Sequence, residues 1–65
     1  MKPKTRTLLD TITYEAQAGG TVVIELWHET SGLFNVITRH NGKATGRSFH
    51  TEAQANTHIT NTQRA

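Results

Sequence analysis

The dipeptide Asn41-Gly42 leaves this chain the least freedom. It stands between two alternating segments, LFNVITRH and KATGRSFH. A two-residue type I′ turn demands positive φ at both central positions, and Asn followed by Gly meets that demand best. Directly after the second segment, Thr51-Glu52-Ala53-Gln54 fits a capping box. In such a box the Thr51 hydroxyl accepts from the Gln54 amide and the Gln54 side chain reaches back. A hairpin that runs straight into a capped helix is a compact unit, and the rest of the chain adds strands to it.

Upstream, Thr21–Glu29 (TVVIELWHE) is the clearest strand in the chain. Thr30-Ser31-Gly32 reads as a three-residue hairpin loop with Gly32 in the left-handed conformation. Residues 7–16 (TLLDTITYEA) are rich in threonine, and Leu8, Ile12, Tyr14 and Ala16 share a period of two, which predicts a further strand. Residues 17–20 supply the turn between them. Residues 1–6 (MKPKTR) form a basic arm, and Gln63-Arg64-Ala65 a frayed end. The expectation is one α+β domain over residues 1–65. It has an arm at 1–6, an antiparallel β-meander of three to four strands at 7–50, and a C-terminal helix at 51–62 packed on one face.

With Asn41 and Gly42 as the turn, Phe34 lies opposite Phe49, Val36 opposite Arg47, and Ile37 opposite Gly46. A three-residue loop at 30–32 then gathers Val22, Ile24, Leu26, Phe34, Val36 and Phe49 on one face. The helix covers that face through Ala55 and Ile59 at i, i+4. Val23, Glu25, Trp27, Leu33, Asn35, Ile37, Arg39, Ser48 and His50 fall on the other. A two-residue loop would send Trp27 to the phenylalanine face, because a slip of one residue inverts every side chain. Arg47 points to the helix side in either register and must snorkel at an edge. One helix covers one face only. The second face, with a tryptophan, aliphatics, an arginine and amides, reads as a docking surface. The competing readings are that the N-terminal segment folds over it, or that two copies meet there.

Length limits the chemistry. At 65 residues the chain is near the lower bound for folding on its own core, since such a domain buries only about 60% of its unfolded surface. Hydrophobic content of 34% and charged content of 18% suit a globular domain better than disorder. With no cysteine, neither a disulfide nor a thiolate-bound zinc can staple it. No apolar run approaches a membrane span and no signal-peptide pattern opens the chain, so the expected location is the cytoplasm.

Catalytic patterns are lacking. There is no Gly-rich phosphate loop with a lysine, no HExxH and no Gly-x-Ser-x-Gly. No cofactor motif is present. His28, His40, His50 and His58 have no helical i, i+4 pairing, and His40 and His50 fall at opposite ends of the hairpin, so they read as rim histidines without a metal. Glu25 and Glu29 share a strand face roughly 13 Å apart by strand rise, too far for a retaining glycosidase pair. A body this small is also not expected to enclose a substrate pocket. The chain is read as a binding protein, not an enzyme.

The basic residues are more suggestive. Arg39 and Lys43 flank the hairpin tip, Arg47 stands one row along, and Lys2, Lys4 and Arg6 make up the arm. Beside an open sheet face, such a cluster makes a footprint for a phosphate backbone. Strands can enter the major groove, where arginine reads guanine and asparagine reads adenine, which nominates Arg39 and Asn35, with Trp27 packing on sugars or methyl groups.

The pattern Gly32-x-Phe34-x-Val36, Asn41-Gly42-Lys43, Gly46-x-Ser48-Phe49-x-Thr51, Ala55 and Ile59 resembles the three-strand-plus-helix DNA-binding fold. That fold is shared by plant ethylene-response-type factors and by the arm-binding domains of phage and transposon integrases. The resemblance covers roughly residues 22–59. It implies that the sheet face away from the helix lies in the major groove, with roles for Trp27, Asn35, Arg39 and Arg47. The chain departs from the pattern in its additional N-terminal strand, in lacking a recombinase domain, and in carrying Glu25 and Glu29 on the expected binding strand, where they repel phosphate.

Two functions are therefore expected. The first is a small DNA-binding accessory or regulatory protein of phage or mobile-element type, contacting duplex DNA. The second is a protein-binding inhibitor or adaptor, such as a phage anti-defence (anti-CRISPR-like) protein, docking on a larger protein or ribonucleoprotein complex through the same face. Trp27 is its anchor. The chain itself is expected to be a monomer or a homodimer.

Overall fold

The computed structural model describes residues 6–64. Lys2 and Lys4, with most of the expected basic arm, lie outside them. Four strands, β1 (Arg6–Glu15), β2 (Thr21–Glu29), β3 (Phe34–His40) and β4 (Lys43–Phe49), form one antiparallel sheet in chain order, followed by α1 (Glu52–Arg64). The α+β meander with one C-terminal helix is thus the fold.

The two hairpin turns that flank β3 follow from their residues. Asn41 and Gly42 have φ of 54° and 78°, as a type I′ turn requires. At the other end of β3, the Glu29 amide donates to the Leu33 carbonyl at 2.8 Å and the Gly32 amide to the Glu29 carbonyl at 3.0 Å. Gly32 has φ of 98°. This is the three-residue loop with a left-handed glycine, and it settles the register. Val36 pairs with Leu26, Asn35 with Trp27, and Phe34 with both His28 and Phe49.

The core lies between the sheet and α1. Val22, Ile24, Leu26, Val36, Ala55 and Ile59 are buried, with Ile12, Tyr14, Ala16, Phe34 and Phe49 packed around them. The helix lies over β3 and β4, and the Tyr14 hydroxyl donates to the Thr62 carbonyl at 3.3 Å, tying the last turn to β1. Its sequence is a poor helix former, with three threonines and two asparagines in thirteen residues. Docking therefore has to hold it, and only Ala55 and Ile59 are fully sunk into the core. The Gln54 amide donates to the Thr51 hydroxyl at 3.2 Å, as the capping box predicts. The Gln54 side chain accepts instead from the amide of His50 at 3.3 Å, one residue before the cap.

Three expectations need correction. The helix runs to Arg64, two residues past the expected end at 62, so Gln63 and Arg64 are helical and not frayed. Arg6 is not part of an arm: it opens β1 opposite Glu29. Leu8 does not share a face with Ile12 and Tyr14. The pairing steps from Leu8↔Trp27 to Asp10↔Leu26, leaving Leu9 as the extra residue of a β-bulge. A bulge sets two residues against one, so the pleat changes phase across it and Leu8 moves to the tryptophan face. The consecutive Leu8-Leu9 pair, which breaks strict alternation, was the signal in the sequence.

Candidate sheet-face site

The face away from α1 is read most simply as rows across the four strands. Thr13, Val23, Arg39 and Ala44 form one row, Thr11, Glu25, Ile37 and Gly46 the next, and Leu8, Trp27, Asn35 and Ser48 the third. Arg6 and Glu29 close the end. Trp27 is half-buried within its row and is not taken into the core. Leu8, beside it on the edge strand, is 46% exposed.

Around the indole the charged side chains satisfy one another. The Trp27 Nε1–H donates to Glu25 Oε1 at 3.2 Å, and Arg39 Nη1 donates to that same oxygen at 2.7 Å. Two donors on one oxygen favour its ionised form. Arg39 first, then the indole N–H, hold the Glu25 carboxyl below the usual carboxylate range. On the other side, Arg6 Nη1 lies 3.5 Å from Glu29 Oε2. The Arg6 guanidinium carbon also stands 4.2 Å from the centre of the Trp27 ring, a cation–π distance. Asn35 Nδ2 donates to Glu29 Oε2 at 3.4 Å. Two arginines and two glutamates thus alternate around a tryptophan and cancel in charge.

Of the expected site residues, the face brings together Trp27, Asn35, Arg39 and Arg6. It leaves out Arg47 and Lys43. Arg47 pairs with Val36 and so sits on the helix side of edge strand β4, exposed. Lys43 pairs with His40 at the hairpin tip, on the helix side and out of phase with Arg39. Glu25 and Glu29 do lie on this face, and each is ion-paired there. Glu25 meets Arg39 diagonally and Glu29 meets Arg6 directly opposite, so both arginines are already engaged. Leu8 and the stacking of Arg6 on the indole were missed, because the bulge that creates both lies in the strand with the weakest alternation.

The histidines are spread apart. His28 stacks on Phe34 at 4.5 Å, His58 tilts against Phe49 at 5.2 Å, and His40 Nε2 lies 3.1 Å from the Gly19 carbonyl. Among the described residues no three histidine, aspartate or glutamate side chains cluster as metal ligands. No described helix is long and apolar enough to cross a membrane. Two clefts of about 330 Å³ and 380 Å³ flank the hairpin-tip end, one at Arg39 and Lys43, the other at Tyr14 and Thr62. Both are open to solvent. Comparison with known proteins found no matching family model, no matching curated protein and no matching solved structure.

Proposed function

We propose that the chain is a non-enzymatic docking module that binds a protein partner, as an inhibitor or adaptor, through the sheet face centred on Trp27. The observation that carries this reading is the pairing of Arg39 with Glu25 and of Arg6 with Glu29. A duplex would have to draw both arginines off their carboxylates and leave two uncompensated negative charges against its own phosphates. A protein surface can meet the neutral rim as it stands and cover the indole, Leu8, Val23 and Ile37. By strand spacing and rise the face measures about 19 Å by about 30 Å, on the order of 600 Å². That is somewhat below the roughly 800 Å² that a standard interface takes from each partner.

Trp27 is the only tryptophan, so its emission reports on this face alone. The test is titration of random-sequence duplex DNA at low salt, followed by indole emission and by anisotropy of labelled DNA. It is paired with photo-crosslinking from position 37 in lysate of the source cell. The reading expects weak DNA binding with a shallow salt dependence. It also expects a crosslinked protein that Trp27→Ala abolishes and Arg47→Ala leaves in place. Tight duplex binding that falls steeply with salt and is lost in Arg39→Ala would overturn it in favour of a nucleic-acid partner.

A further inference from the structure

We propose that two copies of this chain pair through their β1 edges, antiparallel about a twofold axis at Thr11, to form one continuous eight-stranded sheet. The inference does not depend on what the tryptophan face binds. It starts from exposed apolar side chains. Leu8 and Leu9, 46% and 42% exposed, are the large hydrophobic residues left in solvent among those described, and both lie on β1. β1 is an edge strand of ten residues with no neighbour on its outer side among the described residues. Long, exposed, apolar edges are templates for another strand.

The edge selects a second copy because it is self-complementary. β1 begins with Arg6 and ends with Glu15, so antiparallel self-pairing sets each arginine opposite the other copy's glutamate. The bulge makes this register consistent. The ten residues occupy nine pleat positions, because Leu9 and Asp10 share one. The middle position is Thr11. Counting outward from it, the Leu9–Asp10 bulge meets Ile12, Leu8 meets Thr13, Thr7 meets Tyr14, and Arg6 meets Glu15. Every pair falls on the same face in both copies: Arg6, Leu8, Thr11, Thr13 and Glu15 on the tryptophan side, the others on the helix side. Were the ten residues spread one to a pleat position, Arg6 and Glu15 would fall on opposite faces and could not meet. The outer edge of β4 offers no such match, carrying Lys43 and Arg47 with no acidic residue.

Arg6 keeps Glu29 through Nη1 and Glu15 keeps the Thr21 hydroxyl through Oε2, each with a further donor or acceptor for the partner, so only one backbone contact must open. The Thr11 amide donates to Asp10 Oδ1 at 2.9 Å, a local cap on the edge. In the dimer that amide turns to the partner strand's Thr11 carbonyl, so Asp10 acts as a brake on assembly. Pairing also sets the two tryptophan faces side by side, which brings the combined surface to about 1,100 Å².

The chain has no cysteine, which permits a clean test. Cross-strand partners lie about 4.5–5.5 Å apart at Cα, within disulfide reach. Thr11→Cys is expected to form a disulfide-linked dimer under mild oxidation at least about tenfold faster than Thr13→Cys, whose partner is Leu8. Sedimentation velocity from roughly 10 µM to 1 mM should show a monomer–dimer equilibrium. Arg6→Glu and Glu15→Arg should each dissociate at least about tenfold more readily, with like charges facing twice across the axis. An equimolar mixture of the two should recover the dimer, because every facing pair is then opposite in charge. Asp10→Ala should tighten it. A wild-type chain that stays monomeric at 1 mM, equal crosslinking at positions 11 and 13, or a mixture no better than its components would each overturn the proposal. Circular dichroism of each variant separates lost pairing from lost fold.

Discussion

Replacing Ile59 with alanine tests whether one side chain holds the helix to the sheet. Ile59 is 4% exposed and, with Ala55, is one of only two buried residues on α1. Ile59→Ala removes three carbons, worth about 2.4 kcal/mol at about 0.8 kcal/mol each. The residual cavity adds to that, for a cost near 3–4 kcal/mol. A chain of 65 residues has a total stability of only about 3–10 kcal/mol. The helix cannot persist undocked, since thirteen residues of this composition are marginal in water. Thermal unfolding should be followed by ellipticity at 222 nm and by Trp27 emission, which watch the helix and the far face of the sheet. The expected fall in Tm is roughly 12–32 °C, from about 4–8 °C per kcal/mol for a domain of this size. Both transitions should coincide, because the sheet's core is closed only by this helix. A drop below about 4 °C, with helical ellipticity intact, would show that α1 is held by something other than Ile59 and would refute the reasoning.

Other perturbations test single links. Gly42→Ala places a side chain at φ +78°, where nothing lies within 4 Å of the new Cβ. Its cost is conformational only, about 1–2 kcal/mol in urea unfolding. Thr51→Ala removes the acceptor for the Gln54 amide and should cost about 1 kcal/mol. Thr51→Ser should recover most of it. Glu25 titrates below its ordinary value of 4.5, so the folded state binds its proton more weakly than the unfolded one. Its contribution is complete above that value and is lost as pH falls through the folded pKa. NMR titration of the side-chain carboxyl should show the depressed midpoint, and Arg39→Gln should raise it toward the ordinary value.

Much of the architecture was legible from local chemistry. Asn41-Gly42, Gly32 and the Thr51 cap each state a backbone conformation in the residues themselves, because few other residues tolerate those φ values or supply that acceptor. Once two turns were placed, the period of two assigned every side chain of β2 and β3 to a face, and the core followed. What the linear order of residues did not carry was phase and partnership. A single inserted residue in β1 moved Leu8 across the sheet, a change that hydrophobic alternation cannot report when the strand is mostly threonine. Likewise Glu25 and Glu29 read as free charges until cross-strand contacts, one diagonal and one directly opposite, set Arg39 and Arg6 against them. Charge in a sequence is a count, whereas charge on a surface depends on which side chains lie within a few ångströms of one another. The chain alone determined that its single helix would cover one face of the sheet and leave Trp27 on the other. Only the packing of four strands decided that this face would be electrically balanced, because the pairs that balance it are distant along the backbone and adjacent only across the sheet.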